Sequence, residues 1–336
     1  MPDTLSLLIN PVVWAIVAVA ILCYSNLFSG ILQQASESDS TLRLVQLDQT
    51  QSLLNSLPLL GLLGTIIGAG IFALPYVVAQ SGVITTLFYF IVLGAVVLLL
   101  HLLMGEVALR TTVKHRLVGY AELYLGNWGK ILITFSTVVG IVGALLAYII
   151  IGGKFLQIVL SPFFEVSVFA SSIIVWLLLS LLILRGIHLI ARAEFFMNIV
   201  LFLTAGLIVF LAVPHMQRQN FVLFNQESLF LPFGVILFAL GGWQAIPERA
   251  DMFENIQGKR SLDNLIVWSS IIVVALYLLF SVVVVGVTGA GTSDDALGGL
   301  QPILGEQILF LGALFGLVAI AASVQVLGNS LKNSLR

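Results

Sequence analysis

Two apolar segments of the sequence contain the residues best placed to bind a small molecule. In both segments the binding groups would belong to the main chain. Residues 59–79 contain four glycines and Pro75, and residues 229–247 contain a Gly-Gly pair followed by Pro247. Glycine weakens a helix and proline removes one of its hydrogen bonds, so each segment is predicted to unwind locally. Unwound backbone offers N–H groups to a carboxylate and carbonyl oxygens to an ammonium group, and a free amino acid carries both.

The two segments are also alike in spacing. Gly70 precedes Pro75 by five residues, and Gly242 precedes Pro247 by the same number. Glycine and proline in membrane helices often serve only close packing or a kink. Paired interruptions, in the first and sixth helices of one series, are instead typical of inverted-repeat transporters, whose site forms where the paired helices unwind in the middle of the membrane.

The elements that must position these segments are predicted to be membrane-spanning helices. Of the 336 residues, 60% are hydrophobic and 9% are charged, whereas about 25% would be charged in a soluble domain. About 20 apolar residues cross the hydrocarbon core, and the runs are too long and continuous for barrel strands. The sequence therefore predicts an all-α polytopic membrane protein with nine spans, at 9–32, 59–79, 83–105, 130–153, 167–184, 193–213, 229–247, 264–288 and 305–327.

The basic residues predict which way these spans run. If the run at 59–79 begins in the cytoplasm, all 14 lysines and arginines except Lys154 and Arg218 fall on the cytoplasmic side. This is the asymmetry that membrane proteins favour. The loop at 289–304, with two aspartates and no cation, then lies outside, as does the amino terminus.

Composition disfavours several other classes of function. The net charge is −2 and no basic patch is dense enough to bind a nucleic-acid backbone. The single cysteine, Cys23, excludes a disulfide framework and a cysteine-ligated zinc site. The glycine-rich runs lack the Gly-Lys-Ser/Thr ending of a phosphate-binding loop, and no His/Asp/Glu cluster has metal-ligand spacing. The sequence therefore predicts no enzyme, no cofactor and no metal.

The residues around both interruptions resemble those of amino-acid permeases. Residues 68–76, GAGIFALPY, with QSG at 80–82, are similar to the first helix of permeases of the amino acid–polyamine–organocation superfamily, most of all the aromatic and neutral amino-acid permeases. Residues 238–248, FALGGWQAIPE, are similar to their sixth helix. The stretch GEVALR at 105–110 fits the loop after their second helix, and the resemblance covers about residues 60–336.

This resemblance implies a leucine-transporter-like inverted-repeat fold and secondary active transport of a neutral or aromatic amino acid by alternating access. It also implies a multi-pass protein of the cell (inner or plasma) membrane. The expected substrate-binding residues offer backbone in the first helix, backbone in the sixth helix, and side chains that shape the pocket. They are Ala69, Gly70 and Ile71, then Ala239, Leu240, Gly241 and Gly242, and finally Tyr148 and Trp243. Simple helix packing is the alternative role for Tyr148 and Trp243.

Three residues are candidates for ion coupling. His101 lies within the run 83–105, and an imidazole can gain and lose a proton near neutral pH. An interfacial position or a hydrogen bond to a neighbouring helix is the alternative for His101. Asn198 is polar in the helix where some proton-coupled relatives carry a lysine, and Ser323 is the one hydroxyl in the run 305–327. The resemblance favours a proton over sodium as the coupling ion.

The sequence departs from the family pattern at both ends. The family fold has two sets of five helices, but only eight runs follow residue 58, so the fold is predicted to be incomplete at its C-terminal end. Residues 1–58 are predicted to form one additional transmembrane helix and a cytoplasmic connector, and 59–336 the permease-like domain. Residues 57–65 also resemble a pore helix of the proton-channel family of flagellar stators. The alternative function is therefore a proton-channel-type or structural subunit that needs a partner complex.

Overall fold

The computed structural model describes residues 62–64, 66–68, 70–113, 115–184, 190–250 and 256–334. The predicted span at 9–32 and the connector at 33–58 lie outside these residues. Ten α-helices are described and no β-strand is present among the described residues. The helices are α1 (Gly70–Ser81), α2 (Val83–Arg110), α3 (Leu117–Leu160), α4 (Val168–Leu184), α5 (Ile190–Ala212), α6 (Leu231–Ala239), α7 (Ile246–Ala250), α8 (Ile256–Thr288), α9 (Gln301–Leu304) and α10 (Glu306–Ser334).

These helices follow the apolar runs of the sequence. In the described part of the chain, α2, α3 and the stretch Leu262–Gly291 are long and apolar enough to cross a membrane. Shorter apolar helices lie in four of the other runs, at Gly70–Ser81, Val168–Leu181, Ile199–His215 and Glu306–Ala321. In lipid a backbone must satisfy its own hydrogen bonds, and a helix does this within one segment. The predicted all-α, polytopic membrane architecture is confirmed.

Helix α3 is longer than the span predicted within it. It has 44 residues, but Gly126 has φ 68° and ψ −161°, which no residue inside a continuous helix adopts. Glycine reaches a positive φ at little cost. The element is therefore two helical segments joined at a kink, and the ion pair of Lys130 with Glu122, at 2.9 Å, spans the joint. The predicted run at 130–153 lies wholly in the second segment.

Both interrupted segments are broken, at the places that the glycines indicate. Residues 62–64 and 66–67 are helical, Gly68 has φ 36°, and α1 starts at Gly70. Pro75 lies inside α1 and does not mark the break. In the second segment α6 ends at Ala239 and α7 begins at Ile246, so Pro247 occupies the first turn of α7, where its missing N–H costs least. We call these two interruptions the first break and the second break.

The helices pack as two groups. Helices α1, α2, α6, α7 and α8 contact one another and carry the end of the first break and both sides of the second, and we call them the break bundle. Helices α3, α4, α5 and α10 likewise contact one another, and we call them the flanking bundle. Contacts of α8 with α5 join the two groups. The breaks therefore lie in one packed unit, and the second unit faces them.

The connector between α5 and α6, residues 213–230, covers the predicted outer end of the break bundle. The N–H groups of Val83 and Ile84 donate to the carbonyls of Val222, at 2.9 Å, and Leu223, at 3.0 Å. The Asn225 side chain donates to the carbonyl of Gln80 at 2.8 Å. The first N–H groups of a helix have no partner inside it, and here the connector supplies partners to the start of α2.

Candidate substrate site

A cavity of about 640 Å³ lies between the break bundle and the flanking bundle, at the two breaks. The break bundle contributes Ile66 and Gly70 beside the first break, and Ala239 and residues 241–244 from the second. The flanking bundle contributes one face of α3, from Ile133 to Tyr148, and part of α10. Pockets for small molecules commonly measure about 300–1,000 Å³, so this volume suits an amino acid.

The glycines of each break are pressed against the other break. A Cβ atom on Gly70 would lie 3.0 Å from Ala239 Cα and 3.1 Å from Ala239 Cβ. A Cβ atom on Gly242 would lie 2.5 Å from Cγ1 of Ile66. Each of these distances is shorter than an ordinary carbon–carbon contact. Gly70 therefore meets the backbone of the second break, whereas Gly242 meets the Ile66 side chain, and neither glycine has room for a side chain unless its neighbour moves.

The start of α1 presents main-chain N–H groups at the point where the breaks meet. Helix α1 starts at Gly70, so the first N–H groups of α1 lack helical partners, and the positive end of the helix dipole lies at this point. A carboxylate is stabilised at such a helix start. In the second break, Leu240 and Gly241 donate to the carbonyls of Ile236 and Phe238, which closes α6 with short turns.

Two hydroxyls from the flanking bundle reach the first break. A Cβ atom on Gly68 would lie 2.9 Å from Ser323 Oγ and 3.1 Å from the Tyr148 hydroxyl oxygen. Ser323 Oγ donates to the carbonyl of Ala319 at 3.0 Å. The Tyr148 ring packs on Phe238, with ring centroids 5.7 Å apart. Tyr148 therefore contacts the walls of both breaks.

The structure brings most of the predicted substrate residues together. Of the nine, the cavity wall includes Gly70, Tyr148, Ala239, Gly241, Gly242 and Trp243. The side chains of Ile71 and Leu240 are buried in the core and are not part of the wall, so only their backbone is left for a role in binding. Ala69 lies outside the described residues.

The three coupling candidates fall in different surroundings. His101 is 1% exposed, and neither ring nitrogen has a hydrogen-bond partner among the described residues. Its Cε1 atom lies 3.6 Å from the position of a Cβ on Gly242, so His101 sits behind the second break rather than at an interface. Ser323 lines the cavity. Asn198 belongs to α5, but its side chain lies outside the described part.

Sequence reasoning missed several polar groups of the site. Ser136, Thr137 and Gln244 also line the cavity, and none of them was singled out from the sequence. Tyr277 of α8 was not singled out, although its buried hydroxyl hydrogen-bonds carbonyls of both breaks. A lone tyrosine inside an apolar span could have signalled this, because a buried phenol needs a partner.

No group of three or more His, Cys, Asp or Glu side chains in the described ranges could hold a metal.

The cavity extends toward the predicted cytoplasmic side. Its wall continues through Met104 and Val107 at the end of α2 to Leu117 at the start of α3, and to Leu327 of α10. On the opposite side, the connector 213–230 covers the ends of α1 and α2. An ion pair of Lys154 with Asp294 joins the predicted outer end of α3 to the loop before α9.

Residues 49–335 match the tryptophan/tyrosine permease family. The chain belongs to this family. No curated protein matches the sequence. The expected resemblance to aromatic amino-acid permeases is thus confirmed at the level of the family. The protein is an integral membrane permease for aromatic amino acids, a transporter rather than an enzyme.

Proposed function

We propose that this permease carries a neutral aromatic amino acid across the cell (inner or plasma) membrane by alternating access, in symport with a proton. One observation carries the proposal. The cavity of about 640 Å³ opens where the two breaks meet, between two separately packed bundles. The same arrangement supports a leucine-transporter-like inverted-repeat fold and membership of the amino acid–polyamine–organocation superfamily.

The two breaks would bind the carboxylate and the ammonium group, which all amino acids share. The substrate carboxylate would bind the N–H groups of Gly70 and Ile71 at the start of α1, together with that of Ala69 before them. The ammonium group would bind the carbonyls of residues 239–242. Both charges then meet dipoles of opposite sign without a charged side chain. Tyr148 and Trp243 would enclose the substrate side chain, because both line the cavity beside the breaks.

The cavity wall favours a neutral side chain. None of its described lining residues is Asp, Glu, Lys or Arg. A charged side chain would therefore enter without a counter-charge, at a cost of several kcal/mol. An aromatic ring would gain about 25 cal/mol for each Å² of apolar surface buried. The hydroxyls of Ser136 and Thr137 add partners for the polar tip of a phenol or an indole.

The structure supports an inward-facing state. The cavity extends to the predicted cytoplasmic ends of α2, α3 and α10, and the connector 213–230 covers the other end. Movement of the break bundle against the flanking bundle would close the access from the cytoplasmic side and open an access from the outer side. The topology itself rests on the charge asymmetry of the loops.

His101 is the proposed proton-binding group. It is buried, has no hydrogen-bond partner among the described residues, and stands directly behind Gly242. A proton on its imidazole would place a charge beside the second break, where it can act on the bundle geometry. Asn198 stays a further candidate. Ser323, with carbonyls of the first break, is the corresponding candidate for sodium.

Uptake by purified protein in sealed vesicles tests this function. Labelled tryptophan or tyrosine should accumulate when the outside is more acidic, and an uncoupler should abolish the accumulation. Accumulation driven by a sodium gradient alone would replace the proton with sodium. Proton flux without amino-acid binding would instead favour the proton-channel-type subunit.

The domain division stays a prediction, with an additional helix and connector in residues 1–58 and a permease-like domain of eight helices in 59–336. The family match begins at residue 49.

A further inference from the structure

Tyr277 lies where the two breaks meet, although it belongs to neither. Its side chain is 0% exposed. The hydroxyl oxygen lies 3.0 Å from the carbonyl oxygen of Ile66 and 2.9 Å from that of Ile67, at the end of the helical turn before Gly68. It also lies 3.0 Å from the carbonyl oxygen of Ala239, the last residue of α6. One side chain of α8 thus reaches the carboxyl ends of both interrupted helices.

These three carbonyls lie at helix ends, where partners inside the helix run out. The last carbonyls of a helix find no N–H within it, and both interrupted helices end at these residues. A phenol has one hydrogen to donate, so three carbonyl oxygens share a single donor. Without that hydrogen, three like dipole ends would face one another in a buried site, and they would repel.

We propose that Tyr277 is a positioning residue that fixes the spacing of the two breaks, and so the shape of the main-chain clamp for the substrate; this rests on the function proposed above. Ala239, which Tyr277 holds, is the residue against which Gly70 packs. A change at the hydroxyl is therefore transmitted to the start of α1 through one contact. Helix α8 packs on α1 and α2, and the Tyr277 ring is part of the buried core.

A positioning role for Tyr277 predicts that its loss does not change which substrates are preferred. The clamp holds the carboxylate and the ammonium group, which every amino acid has, and not the side chain. Loss of the Tyr277 hydroxyl should therefore lower the binding affinity of every substrate by the same factor. A defect in folding would instead lower the number of binding sites and leave the affinity of the folded fraction unchanged.

The experiment measures binding of labelled tryptophan, tyrosine and phenylalanine to the purified full chain, with affinity and number of sites determined separately. Tyr277→Phe removes only the hydroxyl, and should weaken all three affinities by about tenfold, because buried carbonyls lose their donor. Replacement of Tyr277 by 4-aminophenylalanine restores a donor at the same place and should keep each affinity within about threefold of the wild type.

A matched control lies one turn further along α8. Ser281 is fully buried and its hydroxyl has no partner in the described part of the chain. Ser281→Ala should leave the three affinities unchanged. An unchanged affinity in Tyr277→Phe, or an amino variant as weak as the Phe variant, overturns the proposal. Losses that differ several-fold between the three substrates also overturn it.

Two further outcomes are decided by the same measurements. If Tyr277→Phe does not fold, the amino variant decides alone: near-wild-type affinity supports the positioning role, and a tenfold loss overturns it. If the wild-type chain binds none of the three amino acids, the proposed function fails and this inference fails with it. Binding by the wild type with no effect in the variants separates the failure of this inference from that of the function.

Discussion

The two breaks differ in length and in what surrounds them. The first break is short: the chain passes through Gly68 at φ 36° and α1 begins at Gly70. The second break is long, with the non-helical residues 240–245 between α6 and α7. The first is bounded by two hydroxyls of the flanking bundle, and the second is backed by His101 from its own bundle. Under the proposed mechanism, the short break would hold the substrate rigidly and the long break would change shape when His101 binds a proton.

The glycines of the two breaks differ in the kind of atom that an added side chain would contact. A side chain on Gly70 would strike backbone atoms of Ala239, whereas one on Gly242 would strike the side chain of Ile66. Backbone cannot move away without shifting a helix, but a side chain can be shortened by mutation. The close approach at the first break is therefore obligatory, and the approach at the second can be compensated.

The largest effect is expected at the first break. Gly70→Leu should abolish substrate binding, because its Cβ alone would lie 3.0 Å from Ala239 Cα and the rest of the side chain would enter the cavity. Binding is measured as ligand-induced thermal stabilisation by tryptophan. Gly94→Leu is the control, because a Cβ on Gly94 of α2 has no atom within 4 Å. Stabilisation of the Gly70 variant equal to wild type would show that the first break only serves packing.

The next effect concerns the proton and distinguishes the second break from the first. His101→Gln keeps a polar side chain but cannot carry the charge, so acid-driven accumulation should be lost while exchange of labelled for unlabelled substrate continues. His215→Gln, at an exposed position of the outer connector, should accumulate substrate normally. If acid-driven accumulation persists in the His101 variant, another group carries the proton.

Part of this construction follows from the sequence and part does not. The helices were predictable because long apolar runs in lipid have few alternatives, and the breaks because glycine acts on its own backbone. Pro75 was weak evidence, since it lies inside α1. The partners of the breaks were not predictable, because they come from distant helices. Tyr277 is 210 residues from Ile67, and no local pattern connects them.

A smaller effect, with a rescue, is expected at Gly242. Gly242→Ala should weaken binding by about tenfold, because its Cβ would lie 2.5 Å from Ile66 Cγ1. The added substitution Ile66→Ala removes that atom and should recover most of the affinity. Combining Ile66→Ala with Gly70→Ala should recover nothing, because the obstacle there is Ala239. Equal rescue of both glycine variants would contradict the proposed difference between the breaks.

The smallest effect is expected at the hydroxyl pair of the first break. Ser323→Ala removes one of the two hydroxyls beside Gly68, the one that donates to the carbonyl of Ala319. A net loss of about 1 kcal/mol corresponds to about fivefold weaker binding. Ser171→Ala is the matched control, because this buried serine of α4 has no partner among the described residues and does not line the cavity. Proton-driven uptake should persist in the Ser323 variant, since His101 is intact. If Ser323→Ala instead removes a dependence on sodium, the first break holds the coupling ion, and the division of tasks between the two breaks must be reversed.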